Sequence, residues 1–291
     1  MKRISFILIF ILLLITGCSK EKSNKLSIVT TNFPSYDFVR AIVKDKAEVK
    51  MLLKPGMEIH DYEPTPKDII DIENSDLFVY IGGESDYWVD NILKDIKKDS
   101  NEVIKLMDYV DLVEEEDGEF DEHVWTSPIN SIKMIESLRD KIISIDNNEE
   151  YKSNSESYIN DIKNIDLEIR DIVSNSKRKT LVFGDRFPII YFVKEYGLNY
   201  YAAFSGCAHE TEVSAKTLSF LISKVKKESI PVVFHIELSN TKIADTISKE
   251  TNTKVLEYHT AHNISKSDFD SGVTYVDIMK NNINVLKEAL N

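Results

Sequence analysis

From residue 26 onward, short apolar runs alternate with stretches of helical period. The apolar runs predict strands over 26–31, 47–53, 77–81 and 102–106, and the periodic stretches predict helices over 35–44, 66–74 and 88–96. Strands that alternate with helices in this way build a parallel sheet covered by helices. A helix then starts at Ser127-Pro128, with Ile135, Leu138, Ile142 and Ile145 as its buried stripe. The next segment, 147–176, has neither glycine nor proline. Its Tyr151, Tyr158, Ile162, Ile165, Ile169 and Ile172 mark one apolar face on a highly charged helix. At ~1.5 Å per residue it would span ~40 Å, longer than a small domain. It reads as a rigid spine between two lobes, and a self-associating coiled-coil strand is the alternative. Beyond it the alternation restarts. Strands are expected over 180–183, 199–203, 232–236 and 254–258, and helices over 188–196, 213–228, 242–251 and 275–290. The expected class is α/β: two parallel-sheet lobes, 26–146 and 177–291, joined by the 147–176 helix, with a crevice between them.

The first 25 residues follow a different pattern. Lys2 and Arg3 precede an almost wholly apolar run from Ile4 to Ile15, and Ile15-Thr16-Gly17-Cys18 ends it with small residues. This is a signal peptide over 1–17 and resembles the bacterial lipoprotein type, cleaved before Cys18 and lipidated on it. A membrane anchor is the other reading, but the run falls short of the ~20 residues of a comfortable span. Residues 18–25 read as a lipidated tether. The chain has two cysteines, Cys18 and Cys207. With a lipid on Cys18, Cys207 has no partner in the chain, and the fold must rest on its core.

Composition narrows the functions. With 42% hydrophobic and 29% charged residues the chain is globular. A net charge of −13 argues against nucleic acid, which needs a basic face, and suits cations. The acidic stretch 113–122 reads as a solvated loop, with weak cation collection as the functional alternative.

Chemistry concentrates at the histidines. His60 stands in Gly56-Met57-Glu58-Ile59-His60-Asp61-Tyr62-Glu63-Pro64-Thr65-Pro66. The glycine permits a sharp turn there. Thr65, Pro66 and Asp68 form a helix start with a reciprocal cap. His123 stands in Asp121-Glu122-His123-Val124-Trp125, also just before a helix start, and Asp121 or Glu122 is placed to hold its second ring nitrogen. His209, His235, His259 and His262 follow in the second lobe. Loops at the strand ends of both lobes thus carry imidazoles toward one crevice. Without a cysteine cluster, such a set suits Zn²⁺, and Mn²⁺ gains as carboxylates replace imidazoles. Cys207 and His209 could add a thiolate and an imidazole, although an inert packed thiol is the simpler reading. His235 lies within an apolar strand and reads as a core or sheet-end histidine, and Glu237 is an outside candidate. A zinc hydrolase is the rival function, but no His-Glu-x-x-His motif is present. The enzyme reading is therefore set aside.

The segments around His60 and His123 closely resemble the two first-lobe motifs of the zinc/manganese solute-binding lipoproteins of bacterial ABC importers. The resemblance covers everything after the tether. It implies one divalent ion bound between two α/β lobes, capture outside the cytoplasm on a lipid anchor, and delivery to an ABC importer permease by a monomer. Zn²⁺ is the expected cargo, with a Mn²⁺ carrier or an adhesin or structural lipoprotein as alternatives. The family pattern assigns His60 and His123 as the first two ligands. The third lies after the first strand of the second lobe, where Asp185 is the only carboxylate and Arg186 stands beside it. The fourth lies after the last strand, where His262 aligns slightly better than His259.

Overall fold

The computed structural model describes residues 25–59, 62–96, 98–99, 102–114, 118–206 and 212–291. The Cys18 lipidation site, His60, Cys207 and His209 lie outside them. In the first lobe β1 (Leu26–Thr30), β2 (Ala47–Met51), β3 (Leu77–Tyr80) and β4 (Val103–Lys105) form a parallel sheet in the order β2-β1-β3-β4. In the second lobe β5 (Thr180–Phe183), β6 (Asn199–Ala202), β7 (Val232–Ile236) and β8 (Lys254–Tyr258) repeat that order as β6-β5-β7-β8, again parallel. The helices of the first lobe are α1 (Phe33–Val43), α2 (Pro66–Asn74), α3 (Tyr87–Asp95) and α4 (Pro128–Ile145). The linking helix is α5 (Glu150–Asn175). The second lobe adds α6 (Ile190–Tyr196), α7 (Ala215–Glu228), α8 (Lys242–Thr251), α9 (Lys266–Ser271) and α10 (Tyr275–Leu290).

The central strands of each sheet show why both faces must be covered. Ile28 and Val79 point into a core shared with α1, α4, α5 and α10, while Val29 and Phe78 point into a smaller one under α2 and α3. The second lobe divides likewise: Leu181, Phe183 and Phe234 face the shared core, and Val182 and Val233 face a small core under α7 and α8. Period-two strands buried on both sides read as continuous apolar runs, and such runs were legible in the sequence.

The linking helix buries Tyr151, Ile159, Ile162, Ile165, Ile169 and Ile172. It touches both lobes through polar groups as well. Asn154 Nδ2 donates to Ile42 O in α1 at 3.0 Å, and Tyr196 Oη in α6 donates to Asp166 at 2.9 Å. Its 26 residues make a strut ~39 Å long at ~1.5 Å per residue. Among the described residues, no helix is long and apolar enough to cross a membrane.

Candidate metal centre

His123 is fully buried at the mouth of the first sheet, where it precedes a single 3-10 turn, Val124–Thr126. Asp121 fixes it twice: one carboxylate oxygen accepts the backbone N–H of His123 at 2.8 Å and lies 3.2 Å from ring Nδ1. In neutral imidazole a proton on Nδ1 toward a carboxylate leaves the Nε2 lone pair for a cation. Of the two acids that sequence placed beside this ring, Asp121 is the one that holds it.

Glu122 is buried next to it, and its carboxylate accepts Ser85 N–H at 2.7 Å and the Ser85 hydroxyl. Room for Glu122 exists because residue 83 is glycine. A Cβ there would stand 2.4 Å from Glu122 Cβ, and the backbone φ of +83° favours glycine as well. Beneath lies Asp86, whose carboxylate accepts the N–H groups of Ile81 and Gly82 at 3.0 and 2.9 Å. Burial, with the charge of Glu122 nearby, pushes Asp86 up to about 7.

From the second lobe comes the turn after β8. Glu237, buried at the end of β7, accepts Thr260 N–H at 2.7 Å, the Thr260 hydroxyl at 2.6 Å and His262 N–H at 3.0 Å. Ala261 takes φ +61°, the left-handed region, and this bends the chain so that His262 faces His123. Their rings meet edge to face with centroids 5.0 Å apart. Among the described residues, Glu122, His123 and His262 each bring a donor atom within 4.8 Å of the others. Two imidazoles and a carboxylate at that spacing are a donor set for a divalent transition metal.

The other candidates are used differently. His259 Nδ1 accepts the N–H of Ala261 at 3.0 Å, so in the neutral ring the proton sits on Nε2, where a ligand needs its lone pair. Asp185 lies outside the cluster. Its carboxylate accepts Ile236 N–H at 3.1 Å, Arg186 N–H at 2.8 Å and the Ser239 hydroxyl, so it ties the β5 and β7 loops together. The Arg186 guanidinium reaches Glu58 at 2.9 Å instead of Asp185. His235 Nδ1 lies 2.9 Å from the carbonyl of Ile236, consistent with the sheet-end reading. Sequence reasoning passed over Glu122 as a donor; its only signal was adjacency to His123.

The lobes are joined on both sides of this cluster. Trp125 Nε1 donates to Thr260 O at 2.9 Å. Asn263 Nδ2 donates to Lys54 O and Met57 O at 3.0 and 2.6 Å, and Gly56 N–H donates to Ile264 O at 2.8 Å. The backbone just before His60 is thus gripped from the second lobe. Tyr191 of α6 donates to Asp121 O at 2.7 Å and accepts Val113 N–H at 3.1 Å. A cavity of about 430 Å³, lined by Asp121, Phe187, Ile190, Tyr200 and Phe204 among others, opens beside the cluster.

Residues 28–289 match the family described as "Zinc-uptake complex component A periplasmic". The chain belongs to this family. It is 33% identical to the high-affinity zinc uptake system protein ZnuA of Bacillus subtilis, over 94% of this chain and 90% of that protein. It is 32% identical to the zinc-binding lipoprotein AdcA of Streptococcus pneumoniae, over 99% of this chain but 61% of that longer protein. The Zn(II)-bound ZnuA-like domain of S. pneumoniae AdcA superposes with a TM-score of 0.80 at 31% identity, covering 91% of this chain and 99% of that one. The expectations of this family and of a two-lobe α/β solute-binding fold are borne out, and the relatives are named for zinc, the expected cargo. The family is described as periplasmic, and AdcA of S. pneumoniae as a lipoprotein.

Proposed function

We propose that the protein captures Zn²⁺ between its lobes and hands it to an ABC importer permease, held at the membrane by a lipid on Cys18. The carrying observation is the convergence of Glu122 and His123 from one lobe with His262 from the other. His60 supplies a further imidazole in this reading, supported by the bonds that pin residues 54–58 beside it. Three imidazoles and one carboxylate accept tetrahedral Zn²⁺ without strain. Mn²⁺ prefers more and harder oxygen donors and stands lowest in the affinity order. Glu122 takes the carboxylate role that sequence gave to Asp185, because Asp185 already holds three donors. His262 is the ligand rather than His259, on the tautomer argument above.

Chelator competition on the protein and its variants tests this. His123→Ala and His262→Ala should each lower zinc affinity by ~100-fold or more, and His259→Ala and Asp185→Asn by far less. Manganese should bind more weakly than zinc to the wild type. Wild-type zinc affinity in both His123→Ala and His262→Ala, or manganese binding as tight as zinc, would refute the assignment.

A further inference from the structure

We infer that Trp125 is a positioning residue for the metal site: its indole N–H sets the second lobe's ligand turn against the first lobe's histidine. This rests on the zinc-site reading above. Trp125 is 1% exposed, and a buried tryptophan by itself is ordinary core. Its placement says more. The ring packs against both imidazoles, with centroids 5.4 Å from His123 and 5.3 Å from His262, and the three rings form a triangle closed by the 5.0 Å contact of the two imidazoles. The donor reaches across the crevice to Thr260 O at 2.9 Å, two residues before His262. Thr260 is therefore held from both lobes: by Trp125 at its carbonyl and by Glu237 at its N–H and hydroxyl.

The tryptophan is itself anchored. Its carbonyl accepts the Ser131 hydroxyl and the Tyr275 hydroxyl, each at 2.9 Å. Tyr275 N–H in turn donates to buried Asp37 at 2.8 Å. An indole fixed at its backbone and directed at Thr260 O braces, from the side, two ligands that share no strand, helix or loop. Remove the donor, and a buried carbonyl next to the ligand turn loses its partner, so the turn relaxes. Groups that orient metal ligands typically change affinity by ~10–100-fold when removed.

Trp125→Phe keeps an aromatic ring and removes the N–H. Zinc affinity should fall by ~10-fold or more in chelator competition. The visible absorption of the Co²⁺-loaded protein should also shift in energy and intensity as His262 moves relative to His123. A role in packing alone would lower the melting temperature and leave the Co²⁺ bands and the affinity unchanged. If Trp125→Phe yields no folded protein, a benzothienylalanine at this position keeps the indole outline without the donor and gives the same comparison. Zinc affinity within twofold of wild type in the folded variant, with unshifted Co²⁺ bands, overturns the inference. If wild type binds zinc and His123→Ala does not, that outcome leaves the zinc site standing and removes only the role of Trp125. If His123→Ala and His262→Ala both bind as wild type, the site assignment falls first.

Discussion

Replacing Glu237 tests whether one buried carboxylate builds the ligand turn. It is 7% exposed and accepts three donors: Thr260 N–H, the Thr260 hydroxyl and His262 N–H, at 2.7, 2.6 and 3.0 Å. Hydrogen bonds to a charged acceptor contribute ~1.5–3 kcal/mol each, which sets an upper bound of ~9 kcal/mol. Three effects reduce it. The bonds share one residue and are not additive. Deleting the carboxylate also removes its own desolvation cost, and water can enter the space left by the side chain. Glu237→Ala should therefore lose ~3–5 kcal/mol, and Glu237→Gln less, ~1–2 kcal/mol, because its amide oxygen still accepts while its NH₂ faces a donor. Thr260→Ala, which removes the hydroxyl alone, should lose ~1 kcal/mol. Urea unfolding of the metal-free proteins measures all three, and zinc affinity should fall by ~10-fold in Glu237→Ala because His262 N–H is released. A Glu237→Ala protein within ~1 kcal/mol of wild type would show that the turn is held by something else.

Two further outcomes are expected. Gly83→Ala forces a Cβ to within 2.4 Å of Glu122 Cβ at a φ of +83°, so it should lose ~2–4 kcal/mol in urea and weaken zinc binding; an unchanged urea midpoint would contradict the packing described. Asp37 is held above the ordinary 3.8 by burial, against the lowering effects of Arg40, Tyr158 and Tyr275 N–H. The folded protein thus keeps a proton that the unfolded chain has lost, and this contribution to stability is full below 3.8 and declines as pH rises through the folded value. Wild-type stability relative to Asp37→Asn should fall from about pH 4 upward, and parallel curves in urea would refute it.

The fold was legible where punctuation and burial agreed. Thr65-Pro66 with Asp68 forms the reciprocal cap read from sequence, and α2 spans Pro66–Asn74 as expected. The runs at 180–183, 232–236 and 254–258 are the strands β5, β7 and β8. Helix α9 was missed: Ser265, Asp268 and Gly272 punctuate it, but it buries none of its residues, so no apolar stripe announced it. At the site, histidines before capped helices or after strands were readable, because residue type and position carry that signal. The family pattern ranks His262 only slightly above His259, and the proposal for His262 rests further on a backbone N–H at Ala261 and a left-handed φ that alanine does not advertise. The role of Asp185 depends on partners 51 and 54 residues away, beyond any local pattern.

The last helix comes back to the first lobe. Tyr275 N–H reaches Asp37 across 238 residues of chain, Arg40 donates to Val273 O at 2.9 Å, and Leu290 O accepts the N–H groups of Lys177 and Arg178 where the linking helix gives way to β5. The native contacts of the first lobe are therefore completed by residues from the other end of the chain. One of the donors to buried Asp37 belongs to α10. Loss of Val273 and α10 would therefore strip hydrogen-bond partners from α1 in the opposite lobe.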